Sequence, residues 1–272
     1  MSAPKQGDII IAVMGVTGAG KSTFIANVTG QDVQVGNTMD SCTTEPEIFE
    51  TTLNDKKVFF IDTPGFDDSS GLDDADILQM TAEKLQAVSE ANLMLTSILF
   101  LHKITDNRLT GSSKRLQRVY EKVCGHEAFS SVVLGTTMWD DLGKESKGVA
   151  REKQLREGDF WGKMIRGGTE CYRLKDSSSS AQDLAMMLMD KKPAVMQMQS
   201  ELIYNGGALI QTAAGQELNG IYVDQIRKQE RKAALDESER AELERLREAE
   251  KKTRETIIVT QPYYVYKFCT IL

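Results

Sequence analysis

The sequence predicts an α/β protein in which helices cover a mostly parallel β-sheet. An apolar run at residues 9–14 is typical of a buried strand, and it leads into a glycine-rich turn and a helix-compatible segment at 22–28. Further apolar runs of strand length alternate with helical segments up to about residue 193. Polar motifs follow several of these runs, and the carboxyl ends of parallel strands form the usual ligand-binding edge of such a sheet.

The turn after the first strand contains a phosphate-loop motif. Residues 15–22 read G-V-T-G-A-G-K-S, which fits G-x-x-x-x-G-K-[ST] between a strand and a helix. Backbone N–H groups and the helix N-terminus would surround phosphate groups, while Lys21 would reach the β- and γ-phosphates and Ser22 would hold Mg²⁺. We therefore predict a nucleoside triphosphate site. Its contact residues are Gly15, Val16, Thr17, Gly18, Ala19, Gly20, Lys21, Ser22 and Thr23.

A second motif follows a predicted antiparallel hairpin. The runs 47–53 and 57–62 are joined by Asn54 and Asp55, and the second run ends in Asp62-Thr63-Pro64-Gly65. An acidic residue at such a strand end can hold Mg²⁺, usually through water, and Gly65 can offer its N–H to a γ-phosphate. D-T-P-G is also a common turn signal. Its position after a phosphate loop favours the metal and phosphate interpretation.

The remaining elements of the first 193 residues follow the same alternation. A helix is predicted from about Asp73 to Glu90, followed by a strand at 97–101 and a helix near 111–124. The next strand, 131–137, runs into Met138-Trp139-Asp140, and Glu170–Leu174 is the candidate for the last strand. We therefore assign residues 1–193 to a nucleotide-binding domain.

The composition changes after residue 193. We predict a helical extension over 194–256, with a long, mostly solvated helix at 225–255 that carries many i,i+4 opposite-charge pairs. Its apolar stripe is thin for a coiled coil. The helix could pack partly on the first domain, or it could bind a helix of a partner protein.

The last segment, 257–272, ends in a lipidation motif. Cys269-Thr270-Ile271-Leu272 fits C-a-a-X, and Leu at the last position favours geranylgeranylation of Cys269. A single lipid gives only marginal anchoring, and residues from Ile257 onward could instead add a strand to another sheet.

Composition excludes several other classes of protein. The formal net charge of −7 argues against a nucleic-acid-binding surface. The N-terminus lacks a secretion signal pattern, and the apolar stretch 91–101 is far shorter than the roughly 20 residues that span a bilayer. Four scattered cysteines predict neither a zinc site nor a disulfide framework. We expect a cytoplasmic protein, peripherally attached to a membrane through Cys269.

In combination, these motifs resemble the Ras-type G domain and, more narrowly, the GIMAP-like, septin- and Toc-related GTPases, including the G domains of filamentous fungi. The resemblance implies a three-layer Ras-like P-loop NTPase fold with a mostly parallel six-stranded sheet, followed by the helical extension. It implies GTP or GDP and Mg²⁺ as ligands and a homodimer across the nucleotide face. The motifs that carry it, in order, are residues 15–22, Ser41-Cys42-Thr43, Asp62–Asp68, Leu101–Arg108 and Thr136–Asp140.

The resemblance also implies residue roles. Thr43, with Thr44 as its rival, would hold Mg²⁺ together with Ser22 and Asp62. Asp140 would read the guanine edge beside Thr137 and Asp176, although a solvated acid or a helix cap is an alternative for Asp140. Met138 replaces the lysine that usually flanks the base, which leaves an ATPase of the same fold as an alternative.

Catalysis is the second departure from the pattern. Phe66 stands where a Ras-type protein has the glutamine that orients water, so the sequence predicts slow hydrolysis or a nucleotide-locked scaffold. Lys21, Thr43 and Gly65 would stabilise the reacting phosphate. Arg108 of a second copy could add charge in trans, or it could pair with Asp106 at the surface.

Overall fold

A six-stranded sheet forms the centre of the structure, a computed structural model that describes residues 3–31, 33, 47–66, 73–106, 111–158, 160–230 and 237–255. The strand order is β2-β3-β1-β4-β5-β6, with β2 antiparallel to β3 and the other neighbours parallel. The strands are β1 Ile9–Gly15, β2 Glu47–Leu53, β3 Lys56–Asp62, β4 Ser97–Lys103, β5 Val132–Thr137 and β6 Glu170–Arg173.

Helices cover both faces of this sheet. The helices are α1 Lys21–Thr29, α2 Asp74–Glu90, α3 Gly111–Cys124, α4 Glu145–Glu157, α5 Gly162–Arg166, α6 Ser178–Met189, α7 Gln197–Tyr204, α8 Ala213–Glu230 and α9 Glu237–Glu255. Two short 3₁₀ turns occur at His126–Ser131 and Leu209–Gln211. None of the helices in the described ranges is long and apolar enough to cross a membrane.

The alternation of side chains along β1 creates two separate cores. Ile9, Ile11 and Val13 pack on one face with α1 and α6, including Phe24 and Leu184. The opposite face of β1 belongs to a second core, which α2 and α3 join and which α7 and α8 extend by packing on those two helices. Its members include Ile10, Ala12, Met14, Leu78, Leu85, Val119, Leu202 and Leu218. The fold is therefore the three-layer α/β arrangement that the alternating pattern predicts.

The predicted hairpin is confirmed. Strands β2 and β3 pair antiparallel with Glu47 opposite Asp62, and both turn residues have left-handed backbones, with φ of 48° at Asn54 and 60° at Asp55. Asn and Asp tolerate that conformation better than other non-glycine residues, so they suit a tight hairpin turn. The pairing brings the start of β2 beside Asp62.

The single long helix expected at 225–255 is wrong. The described residues of this region form two helices, α8 Ala213–Glu230 and α9 Glu237–Glu255, and these pack against each other, which a single straight helix cannot do. Most described side chains of α9 are exposed, as predicted, but part of its apolar stripe is not: Leu243 and Ala249 are each only 6% exposed. Burying this thin apolar stripe on α8 and the neighbouring core removes it from water, which an extended helix would not achieve.

The extension is also joined to the sheet-covering helices by charged contacts. Arg118 of α3 donates to Glu217 of α8 at 2.6 Å, and Lys252 of α9 forms an ion pair with Asp76 in the first turn of α2. Lys252 lies 3.9 Å from Asp73, the residue that caps α2 by accepting from the N–H of Asp76. The end of α9 is therefore next to the start of α2.

A substitution in α8 tests this packing. Leu218 is fully buried in the core shared with α2 and α3, so Leu218→Ala should lower the free energy of unfolding by about 2–5 kcal/mol. Urea denaturation followed by circular dichroism measures this loss. Val149→Ala is the control, because Val149 is 43% exposed and its truncation should change stability by less than about 0.5 kcal/mol. Equal stabilities for the two variants would contradict the packing of α8.

Candidate functional site

The phosphate loop is built by glycines at the positions where the backbone demands them. Gly15 lies so close to β4 that an added Cβ would be 2.5 Å from the carbonyl oxygen of Leu101. Gly18 and Gly20 have φ of 72° and 88°, the left-handed region that glycine adopts without strain. Gly20 then caps the N-terminus of α1. The loop therefore leaves β1 and enters α1 as the motif predicts.

Lys21 lies across this loop. The residue is 6% exposed, and its Nζ donates to the carbonyl oxygens of Gly15 at 3.3 Å and Val16 at 3.2 Å. A buried ammonium held by carbonyl oxygens stays in place beside the loop without a desolvated, unpaired charge. It is thus positioned for an anion inside the loop.

Thr137 attaches the loop to the neighbouring strand end. Its Oγ1 donates to the carbonyl oxygen of Ala19 at 3.0 Å, and Ala19 in turn donates its N–H to Val16 at 3.1 Å. Thr137 is 5% exposed at the end of β5. Thr137 therefore holds the loop in place, and its predicted contact with the nucleotide stays a prediction.

Ser22 and Asp62, two of the three predicted Mg²⁺ ligands, are in direct contact. The Ser22 hydroxyl in the first turn of α1 donates to Oδ2 of Asp62 at 2.7 Å, and Asp62 is 1% exposed at the end of β3. Hydroxyl and carboxylate oxygens are the ligands that Mg²⁺ prefers, and Mg²⁺ completes its octahedron with water and phosphate oxygens. The pair therefore fits Mg²⁺. Thr23 follows in the same helical turn and is partly exposed.

The segment after Asp62 lies directly against the phosphate loop. Thr17 donates its N–H to the carbonyl oxygen of Phe66 at 3.0 Å and its hydroxyl to that of Gly65 at 3.1 Å. An added Cβ at Gly65 would lie 2.5 Å from the Thr17 nitrogen. Glycine is therefore needed at position 65 for close backbone approach.

Phe66 anchors this segment in the core. The side chain is 2% exposed, and its ring meets that of Tyr120 edge to face, with centroids 5.2 Å apart. Such a ring pair contributes about 0.5–1.5 kcal/mol beyond the burial of area. Phe66 is thus turned away from solvent, although a Ras-type protein has its water-orienting glutamine at this position.

The ends of β5 and β6 supply the predicted base-reading edge. Oδ2 of Asp140 accepts from the backbone N–H of Asp176 at 3.2 Å, and both residues are exposed. Met138 has a left-handed backbone with φ of 61°, an uncommon conformation for a side chain of this size. The contact brings the two predicted base-site residues together although 36 positions separate them.

Trp139 turns inward between these exposed groups. It is 7% exposed, and its Nε1 donates to the carbonyl oxygen of Thr136 at 3.2 Å. The guanidinium of Arg173 lies 4.5 Å from the Trp139 ring and makes a bidentate contact with Glu152 of α4. Trp139 therefore packs under the end of β5, while Asp140 and Asp176 form the exposed edge.

His102 and Lys103 at the end of β4 were not among the predicted site residues. Both line a cavity of about 410 Å³ that also reaches Thr17, Tyr120, Phe160 and Trp161. The His102 ring lies 5.6 Å from that of Phe160. Burial lowers the pKa of His102 and nearby Lys103 acts in the same direction, while Asp106 opposes them. Both residues lie in the Leu101–Arg108 motif at the end of a predicted strand, but neither was assigned a role from the sequence.

Three predicted site residues lie outside the described part of the chain. They are Thr43 with its alternative Thr44, Arg108 and Cys269. Their roles stay predictions. Lys21, Ser22, Asp62, Gly65 and the loop residues meet at one edge of the sheet.

Comparison with known proteins supports a G-domain GTPase as the class of protein. Residues 10–134 match the family model described as 50S ribosome-binding GTPase. The chain is 28% identical over 134 residues to GTP-binding protein A of Dictyostelium discoideum, and 28% identical over 118 residues to the uncharacterized protein YkfA of Escherichia coli. The matches cover 48% and 43% of this chain but only 28% and 38% of the two relatives.

Solved structures show the same fold. Toc33 from Arabidopsis thaliana in complex with Mg²⁺ and GMPPNP aligns with a TM-score of 0.53 at 16% identity, covering 69% of this chain and 88% of Toc33. Era in complex with MgGDPNP and 16S ribosomal RNA aligns with a TM-score of 0.50 at 15% identity, covering 70% of this chain and 58% of Era. The predicted Ras-like P-loop fold is therefore confirmed, while the narrower fungal GIMAP-like assignment stays a prediction.

Gly65→Ala tests the contact between the segment after β3 and the phosphate loop. The added methyl group would overlap the Thr17 nitrogen, so the segment must move and lose its bonds to Thr17. We expect a loss of about 1–3 kcal/mol in the free energy of unfolding, measured by urea denaturation. Gly143→Ala is the matched control, because nothing lies within 4 Å of its added Cβ. A Gly65→Ala protein as stable as Gly143→Ala would refute the contact.

Proposed function

We propose that the chain is a Mg²⁺-dependent GTP-binding protein that hydrolyses GTP slowly and acts as a switch through nucleotide-dependent dimerisation at a membrane surface. In this proposal residues 1–193 form the G domain, 194–256 a helical extension and 257–272 a lipidated tail. The observation that carries it is the convergence of Lys21, the Ser22–Asp62 pair and Gly65 around one loop. Because the curated relatives are matched over less than half of their length, the activity of the whole chain is inferred from this site.

The phosphate and metal roles follow from charge and donor chemistry. Lys21 and the loop N–H groups would stabilise negative charge on the phosphates, as preorganised donors do in other phosphoryl-transfer sites. Mg²⁺ would be held by Ser22, Asp62 and Thr43, and would neutralise charge between the β- and γ-phosphates. Toc33 has been crystallised with GDP and Mg²⁺, which supports the same ligands here.

Guanine recognition is assigned to Asp140. A carboxylate can accept from both N1–H and N2–H₂ of guanine, and adenine lacks this pair of donors. The exposed Asp140 carboxylate lies within hydrogen-bond distance of the N–H of Asp176, which supports a base site made by both loops. Met138 takes the place of a lysine beside the base, so ATP binding is the competing result to be measured.

Slow turnover is inferred from Phe66. A buried phenyl ring cannot orient an attacking water, and Phe66 is packed on Tyr120. Dimerisation is important for the GTPase activity of the chloroplast translocon components atToc33 and psToc159, and a solved structure from that work aligns with this chain with a TM-score of 0.54. This supports a dimer in which Arg108 of the partner copy supplies charge. The same Phe66 favours the alternative of a nucleotide-locked membrane scaffold.

The switch would act through the loops that meet the γ-phosphate. Contacts of Thr43 and Gly65 with that group would order the segments around them, and hydrolysis would release these segments. The segment after Gly65 leads to α2, whose first turn contacts Lys252 of α9. Nucleotide state could thereby reach the extension and the tail, where a geranylgeranyl group on Cys269 would provide reversible membrane attachment.

Asp140→Ala tests guanine selectivity. The loss of two charge-assisted hydrogen bonds, each worth about 1.5–3 kcal/mol, should weaken GTP binding by at least about 100-fold. Titration of labelled GTP with Mg²⁺, with ATP as competitor, measures this change. Asp141→Ala is the matched control, since Asp141 is the adjacent exposed acid. Equal affinities of the wild type for GTP and ATP would reject the guanine assignment and leave a phosphate-loop NTPase.

Turnover against protein concentration tests the dimer. If a second copy completes the site, GTP hydrolysed per protein molecule should rise with protein concentration and level off when the dimer is saturated. Phosphate release over a 100-fold concentration range, with Mg²⁺ and saturating GTP, measures this. A rate independent of concentration would refute catalysis in the dimer. Tight GTP binding without phosphate release would favour the nucleotide-locked scaffold.

A further inference from the structure

Lys103 places a second positive charge beside the phosphate loop. Within the sheet, Leu101 of β4 is opposite Gly15 of β1, where the phosphate loop begins. Lys103 is two residues further along β4 and therefore lies beside the loop. Its Nζ is 3.9 Å from the position that a Cβ on Gly18 would occupy. The ammonium is therefore next to the central glycine of the loop, 85 positions away in the sequence.

The charge of Lys103 is incompletely neutralised within the described residues. Its ion pair is with Asp106, where Nζ and Oδ1 are 3.9 Å apart, too far for a hydrogen bond. The Lys103 side chain is 28% exposed. A partly buried ammonium in this position keeps donors that water or an anion must satisfy.

The backbone next to Lys103 is held in place by Arg151. Arg151 donates Nη1 to the carbonyl oxygens of Ile104 at 2.8 Å and Thr105 at 3.1 Å, which fixes the turn directly after β4. His102 on the other side has a pKa lowered by burial, and its ring packs on Phe160 and Trp161. Lys103 is thus the residue of this strand end that offers positive charge to the loop.

We propose that Lys103 is a second phosphate-binding cation, whose ammonium contacts the phosphate chain of the bound nucleotide from the end of β4. This inference rests on the proposed function, because it assumes a nucleotide in the loop. Lys21 is held by the carbonyl oxygens of Gly15 and Val16, whereas Lys103 approaches the loop at Gly18 from β4. Two cations would therefore share the phosphate charge.

The test is nucleotide affinity in Lys103→Met, which keeps the length of the side chain and removes its charge. Labelled GDP and GTP are titrated with Mg²⁺ at low and high salt, and guanosine is measured by competition. We expect a loss of about 10-fold for GDP and GTP at low salt, a smaller loss at high salt, and no change for guanosine. Lys103→Arg should keep most of the affinity. Lys153→Met is the matched control, because Lys153 is 70% exposed on α4.

Four results would overturn the inference. If Lys103→Met binds GDP and GTP with wild-type affinity, the phosphate contact of Lys103 is rejected and the proposed function is unaffected. An equal loss for guanosine, or a lower thermal midpoint of the nucleotide-free variant, would show a structural role and likewise reject the phosphate contact. A wild-type protein that binds no nucleotide would reject the proposed function and this inference together.

Discussion

The hydrogen bonds of Thr17 and Thr137 are the contacts on which the site depends. Thr17 joins the phosphate loop to Gly65 and Phe66 after β3, and Thr137 joins it to the end of β5. A glycine-rich loop has high conformational entropy when it is free. Because neighbouring strand ends hold it on both sides, its N–H groups can surround an anion without a large ordering cost at the time of binding.

Burial of Phe66 extends this constraint beyond the loop. The residue that follows Gly65 is packed on Tyr120 of α3, and α3 in turn packs against α8 of the extension. The start of α2 carries the ion pair with Lys252 of α9. A displacement of the segment after β3 would therefore disturb packing that also supports the C-terminal helices. This arrangement provides a physical route between the site and α9, and its strength is a coupling free energy that has to be measured.

Much of the sheet could be predicted from the sequence, since its strands are short apolar runs with turn residues between them. Helices α4 and α5 could not. In α4 the buried residues are Gly148, Glu152 and Leu155, which form no apolar stripe, and Glu152 is buried because Arg173 pairs with it from β6. The charged segment predicted as one long helix likewise contains α9 packed against α8, because this packing buries Leu243 and Ala249.

The phosphate-loop, D-T-P-G and T-x-x-D motifs and their order along the chain are local features, so they could be read from the sequence together with the α/β class. The neighbours of these motifs are a property of the folded chain. Lys103 lies beside Gly18, Phe66 on Tyr120 and Asp140 beside Asp176 through contacts between residues that are far apart in sequence. Strand order and register create these contacts, and hydrophobic burial of whole faces of the sheet, rather than any single motif, selects that order.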